Sequence, residues 1–337
     1  MHKAKRIELF CGTGGVGKTT LAASRALYLA RKKKTVLLMT IDPSLRLKQL
    51  FSLDEEDSDG LAKEITTNDV DLNGGRLMIL LMNNEATLKY ALGQTSITNH
   101  ILKSLSRPYS GMNEILSLIE LARYINQNEY DHIILDTPPG KHFVDFIASA
   151  EKINHFFDKS FIRIFMSVKK EEKGIFSTVI GSGIKKILTY LEKVTGEGFV
   201  DTFIDALITL FERKDYFLEG LASQKVLNDR QLCQWYLVSS IEQHKSMDLK
   251  SFTNSLNDAS HSSGQFILNK SLKEHLEQWD PADNELLRLK ATMLKRENEL
   301  EVKQSQWLIF PEIIDPNPAV HMKQLCLSWQ RYETSQR

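Results

Sequence analysis

An α/β fold with a mostly parallel, doubly wound sheet is predicted by three features of the sequence. Short apolar runs recur along the chain, helix-length stretches separate most of them, and a glycine-rich segment joins the first run to an alanine-rich helical pattern. The runs read as buried strands at Ile7–Cys11, Val36–Ile41, Leu77–Met82, His132–Leu135, Trp235–Val238, Phe266–Leu268 and Trp307–Phe310. In such a sheet helices cover both faces and ligands bind beyond the C-terminal strand ends.

Between the runs, the first helix is expected from Thr20 to about Lys33. Asp54 to Gly75 is acidic and punctuated by Gly and Asn, and reads as a solvated loop. From about Phe143 to Asp229 several helices and no convincing strand are expected. That stretch is taken as a helical subdomain, 143–229, inserted into a core made of 1–142 and 230–337. Asp280-Pro281 reads as the cap and first turn of a charged helix from Asn284 to about Lys303.

Composition narrows the function classes. Forty-three basic residues balance forty-three acidic ones, so no global positive field exists to hold a nucleic-acid backbone or an anionic membrane. No nucleic-acid partner is expected, and any membrane association should be transient. Cys11, Cys233 and Cys326 are far apart in the chain and form no C-x-x-C, so neither a disulfide scaffold nor a zinc site is predicted. A cytoplasmic, soluble protein fits this usage, since no segment is apolar for ~18 residues and the N-terminal run is too short for a signal peptide.

The chemistry begins at Gly12-Thr13-Gly14-Gly15-Val16-Gly17-Lys18-Thr19, which satisfies G-x-x-x-x-G-K-T between a strand end and a helix start. In that setting the backbone N–H groups of Gly14, Gly15, Val16 and Gly17 converge on phosphates at a positive helix end. Lys18 would bridge the β- and γ-oxygens, Thr19 would hold magnesium, and Thr20 would reach the α-phosphate. The segment predicts a P-loop NTPase that takes ATP or ADP with Mg2+. The alternative is a glycine-rich turn with an incidental lysine.

The fuller form G-x-G-G-V-G-K-T-T is similar to the deviant phosphate loop of the MinD, ParA and ArsA/Get-type ATPases. In those families the residue at position 13 is usually a lysine that reaches across a nucleotide-sandwich dimer, whereas this chain has Thr13. Lys141, Arg46 or a lysine of a related partner subunit are the candidates to supply such a charge instead. Tyr130 to Asp136 is an apolar strand ending in a carboxylate, a placement that serves either as a helix cap or, at Asp136, to orient magnesium's water ligands. The following Thr137-Pro138-Pro139-Gly140-Lys141-His142 resembles the D-T-x-P-x-x-H second switch of ArsA/Get-type proteins, and Asp136–Pro139 with Asp145-Phe146 resembles its bacterial version. Thr40-Ile41-Asp42-Pro43-Ser44 resembles the first switch, which implies that Asp42 positions or deprotonates attacking water. Asp42 could instead be an N-cap with Pro43 at the first helical position. Ser110-Gly111-Met112-Asn113-Glu114 is similar to a P-G-x-x-E element of the same group. The resemblance covers most of Ile7 to Phe310 and is to bacterial ArsA/Get-like members lacking the signature lysine.

Base choice is read at Asn269, which ends the strand Gln265–Leu268 and whose amide suits the N7/N6 edge of adenine. A guanine site of the N-K-x-D type would need an acid where Leu272 stands, so ATP is favoured over GTP. Asn is also a common turn residue at a strand end. The resemblance implies that Pro311, in Phe310-Pro311-Glu312, belongs to the adenine-contacting loop. Phe199, Val200, Phe203, Ile204, Leu207, Ile208, Leu210 and Phe211 exceed one narrow helix stripe, and could be covered by their own core, a second subunit or an apolar client. The implied protein is a magnesium-dependent ATPase acting as a homodimer, or a heterodimer with a related subunit, for a client in targeting or transport. Two alternatives stand beside it: a slow or inactive nucleotide-gated scaffold, motivated by Thr13, and a MinD-like membrane-positioning ATPase anchored through Val320–Trp329.

Overall fold

The computed structural model describes residues 6–41, 45–65, 72–107, 112–139, 190, 193, 198–229, 231–240, 264–303 and 307–335, and elements are numbered over these. All seven apolar runs are strands of one eight-stranded sheet: β1 (Arg6–Gly12), β2 (Thr35–Thr40), β4 (Arg76–Leu81), β5 (His132–Asp136), β6 (Cys233–Ser240), β7 (Gln265–Ser271) and β8 (Leu308–Pro311). The order is β3-β4-β2-β5-β1-β6-β7-β8, and every pairing is parallel except that of β3 (Lys63–Glu64) with β4. The α/β, mostly parallel fold expected from the sequence is the fold observed. From β1 the chain moves to β2 on one side and later reaches β6 on the other, so the C-terminal end of β1 sits at the switch point where an α/β sheet opens a crevice.

The antiparallel edge was not foreseen. The segment read as a solvated loop contains a 3-10 turn at Glu55–Ser58 and then β3, after which Ile65 is buried and its N–H donates to the Leu77 carbonyl at 2.9 Å. A strand of two residues is too short to show an alternating pattern, and its charged residues Lys63 and Glu64 suit an exposed sheet edge.

Helix α1 (Lys18–Arg31) starts two residues before the expected Thr20 and packs on the sheet through Leu21, Ala22, Ala23, Ala26 and Leu27. The alanines carry little side-chain bulk, so the helix axis approaches the strands closely. Over α1 lies α10 (Pro318–Ser335), which buries Met322, Leu325, Cys326 and Trp329. The Trp329 indole N–H donates to Ser24 Oγ at 3.0 Å, and its ring meets Phe310 and Tyr236 edge-on at 4.7 and 5.4 Å. The apolar face of Val320–Trp329, considered above as a membrane anchor, is thus part of the core. No helix among the described residues is long and apolar enough to cross a membrane.

A charged cluster crosses the same interface. On β1, Glu8 and Phe10 point toward α1, and the fully buried Glu8 takes a two-pronged ion pair from Arg25, at 2.7 and 2.9 Å. Arg25 also reaches Glu333 of α10 at 2.9 Å, and Glu333 accepts from Lys32 at 2.5 Å and from the Tyr28 hydroxyl at 3.1 Å. Partial burial raises the Glu333 pKa, but the Lys32 hydrogen bond and the Arg25 charge outweigh it and hold the group at about 2, below its ordinary 4.5. A depressed acid stabilises the fold above its unfolded pKa and loses that effect as pH falls through the folded value. Wild type should therefore exceed Glu333→Gln in urea stability by about 1 kcal/mol at pH 6, a figure reduced for solvent screening of a half-buried group. The gap should shrink by more than half at pH 3. A gap independent of pH would assign the difference to packing.

The chain divides into two compact units, Met1–Met82 with Gln127–Asp145 and Val226–Arg337, and Asn83–Asn126 with Phe146–Lys225. The described part of the second unit is built on α3 (Asn84–Leu92), α4 (His100–Leu105), α5 (Asn113–Gln127), α6 (Phe199–Glu212) and α7 (Lys214–Asn228). Segment 83–126, placed with the core from sequence, groups here with the later helices. The contacts responsible are distant in sequence: Ser223 Oγ donates to the Leu118 carbonyl at 3.1 Å, and Asn99 Nδ2 to that of Thr202 at 3.0 Å. Gly220 lies so close to α5 that a Cβ there would come within 2.9 Å of Ile119. Within α6, Ile204, Leu207 and Leu210 are buried, so much of its apolar excess serves its own unit's core.

Candidate nucleotide site

The glycine-rich segment leaves the end of β1 and runs directly into α1. Two of its glycines are sterically required. At Gly12, with φ 150°, an added Cβ would lie 2.2 Å from the Val238 carbonyl oxygen. At Gly17, with φ 89°, it would lie 2.4 Å from Asn269 Nδ2. Val16 is fully buried and plugs the loop into the core, while Gly14 and Gly15 stay exposed at its crest. Gly17 is the N-cap of α1 and offers no side-chain oxygen to the first-turn N–H groups. Those donors are aligned with the positive end of a 14-residue helix, the arrangement that takes an anion. Lys18, Thr19 and Thr20 form the first turn. Lys18 is nearly buried, and its Nζ donates to the Thr13 carbonyl at 2.9 Å, which folds the cation over the loop.

Asp136 ends β5 beside β1, in register with Phe10, and is buried. The next residue fixes the strand exit: Thr137 Oγ1 donates to the Phe10 carbonyl at 2.7 Å. Pro139 then passes the loop, 3.9 Å from where a Gly14 Cβ would stand. On the other flank the Ile41 N–H donates to the Asp136 carbonyl at 3.0 Å, and Thr40 Oγ1 makes a long 3.5 Å contact with the Asp136 carboxylate. Thr40 was not nominated from the sequence. Its signals were a hydroxyl at the last strand position and its place at the start of the segment that resembles the first switch. The exits of β2 and β5 are therefore bonded to each other next to the phosphate loop.

Asn269 is buried within β7, which runs two residues past it to Ser271, and its amide Nδ2 donates to the Val16 carbonyl at 2.9 Å. Half of the amide read as an adenine contact thus supports the phosphate loop itself. Pro311 ends β8, on the same sheet edge, and pairs with Ser271. Arg46 is exposed on α2 (Leu45–Phe51). Asp42, Pro43, Ser44, Ser110, Gly111, Lys141, His142, Asp145 and Phe146 lie outside the described residues. The cysteines are buried, and burial pushes the thiols of Cys11 and Cys233 far up and that of Cys326 to about 11, away from the thiolate form.

The Thr19 hydroxyl, in the first turn of α1, and the Asp136 carboxylate, at the exit of β5, offer hard oxygen donors, a set that suits Mg2+ sharing its shell with phosphate and water. The fit is chemical and topological.

The chain resembles known proteins over most of its length. The family described as Anion-transporting ATPase matches residues 5–296. A protein of Aquifex aeolicus named as an arsenical pump-driving ATPase is 24% identical over 278 residues, 80% of this chain and 81% of that protein. A second such protein from the same organism is 28% identical over 209 residues, 57% of this chain and 51% of its own length. The ATPase get3 of Aspergillus terreus is 30% identical over 140 residues, 40% of each chain. Of the last two relatives, the chain spans about half the length or less.

Proposed function

Because the chain belongs to the anion-transporting ATPase family, whose members hydrolyse ATP, we propose that its phosphate loop seats ATP with Mg2+ and that cleavage of the β–γ bond resets the exits of β2 and β5. The observation that carries the reading is the start of α1: a glycine N-cap, first-turn N–H groups that meet no side-chain cap, and an inward-folded lysine on one turn. In this reading the backbone of Gly14–Gly17 and Lys18 hold the phosphates, Thr20 reaches the α-phosphate, and Thr19 and Asp136 hold the metal, Asp136 through water. Bound Mg2+ would supply charge neutralisation on the β- and γ-oxygens. Asp42 follows Ile41, which is hydrogen-bonded to Asp136, and is assigned to orienting the attacking water. The link between the two strand exits supports the coupling, since a shift at Asp136 is transmitted to Ile41 and Thr40.

The protein is proposed to work as a dimer, with itself or a related subunit, on an apolar protein client in targeting or transport. Thr13 favours a second reading, a slow nucleotide-gated scaffold, because it lacks the charge that relatives place there. Steady-state phosphate release separates the two. Asp136→Asn is expected to lower turnover by roughly 30-fold or more, the range for removing one electrostatic stabiliser. Wild-type turnover no higher than that of the variant would sink the enzymatic reading. Turnover per chain that stays constant across protein concentrations would argue against any residue supplied in trans.

A further inference from the structure

The end of β7 is held by a buried carboxylate that the ATPase reading does not use. Glu297 lies on α9 (Asn284–Lys303), which follows the short α8 (Lys273–Gln278); the other described side chains of α9 are exposed or half-buried, yet Glu297 is only 4% exposed. Both of its oxygens are engaged: Ser271 Oγ donates to one at 2.9 Å and the Leu272 N–H to the other at 2.7 Å. Ser271 is itself a junction. Its carbonyl accepts from the Glu312 N–H at 2.8 Å, its hydroxyl accepts from the Lys273 N–H at 3.3 Å, and it pairs in the sheet with Pro311. Between Asn269 and Ser271 stands Lys270 with φ 62°, a left-handed conformation that a residue with a side chain keeps where its surroundings over-determine it. The β7–β8 register also shifts between Leu268 and Ser271, so the ladder alone does not fix this turn.

We propose that Glu297 is the positioning residue of the base-recognition end of the site. By clamping Ser271 it sets the placement of Asn269 relative to Pro311, the two residues assigned to adenine. Asn269 and Pro311 lie on different strands, and Ser271 is the residue bonded to both segments, two positions from the first and paired with the second. Glu297 enters the chain far from either, on a helix with no other buried described side chain, so its burial is explained by this clamp. A glutamine of the same length keeps it, accepting from the Leu272 N–H and donating to Ser271 Oγ, whereas alanine abolishes it.

The inference rests on the ATP-site reading, and the test separates the two. Affinities for Mg-ATP and for Mg-tripolyphosphate, which lacks the base, are measured by competition on wild type, Glu297→Ala, Glu297→Gln and Lys18→Ala. Glu297→Ala should weaken ATP by roughly tenfold and raise the KM for ATP equally, with kcat and tripolyphosphate affinity within about twofold, as expected for loss of hydrogen bonds to a charged group that act on the base alone. Glu297→Gln should recover most of the loss, and serves as the informative variant should the alanine form fold poorly. Equal weakening of both ligands would mark Glu297 as merely structural, and no weakening of either would remove its role. Lys18→Ala binding both ligands like wild type would overturn the ATP-site reading and this inference with it.

Discussion

Lys18→Ala is expected to lower kcat/KM for ATP by roughly three orders of magnitude, with the melting temperature within a few degrees of wild type. Lys18 occupies the first position of α1, where its Nζ is held over the loop 2.9 Å from the Thr13 carbonyl. Placed there, the cation needs little reorganisation to meet phosphate oxygens, and the shielding that makes it nearly buried strengthens each charge interaction it makes. Alanine at that position retains helix propensity, and removing the cation also removes the need to solvate it, so the fold should survive. Phosphate release and equilibrium ATP binding measure the effect, with far-UV circular dichroism as the control for folding. A variant within tenfold of wild type in both would show that the loop does not seat the triphosphate.

The reach of sequence reasoning follows from the range of the interactions. The phosphate loop was legible because its geometry is local: Gly12, Gly17, the strand before and the helix after all lie within Arg6 to Arg31. Seven of the strands were legible because each carries a short, largely apolar run, interrupted in β1 by Glu8. What escaped was long-range. Asn269 reaches Val16 across 253 positions, so its use as a brace for the loop had no counterpart in the strand-end pattern that nominated it. Ser271 and Glu297 looked like ordinary polar residues of a turn and a charged helix, and their pairing is seen only when α9 folds back. The same holds for segment 83–126, whose helices carry no mark of the unit they join. Asp42, by contrast, was nominated by resemblance, and its geometry lies outside the described residues.

Glu8 is the sharpest case, and it carries the largest expected effect on stability. A carboxylate in the middle of a strand at the centre of the sheet breaks the apolar run, and the sequence does not show which cation meets it. The structure answers with Arg25, which meets both carboxylate oxygens, lies against the Trp329 ring at 4.9 Å, and extends to Glu333. Burial alone would lower the Arg25 pKa, but the charge and hydrogen bonds of Glu8 outweigh it and drive it up, so the pair stays ionised. Arg25→Met should destabilise the protein by about 3–5 kcal/mol in urea unfolding, because it strands a buried carboxylate. Glu8→Leu combined with Arg25→Met should recover most of that loss, since an ion pair buried at this depth contributes little net stability over apolar side chains of similar size. If the double variant is no more stable than Arg25→Met, Arg25 acts through its links to Glu333 and Trp329 and not through Glu8. If it is as stable as wild type yet loses ATP turnover, the pair's contribution is to geometry: it fixes β1 against α1, the two elements between which the phosphate loop is strung.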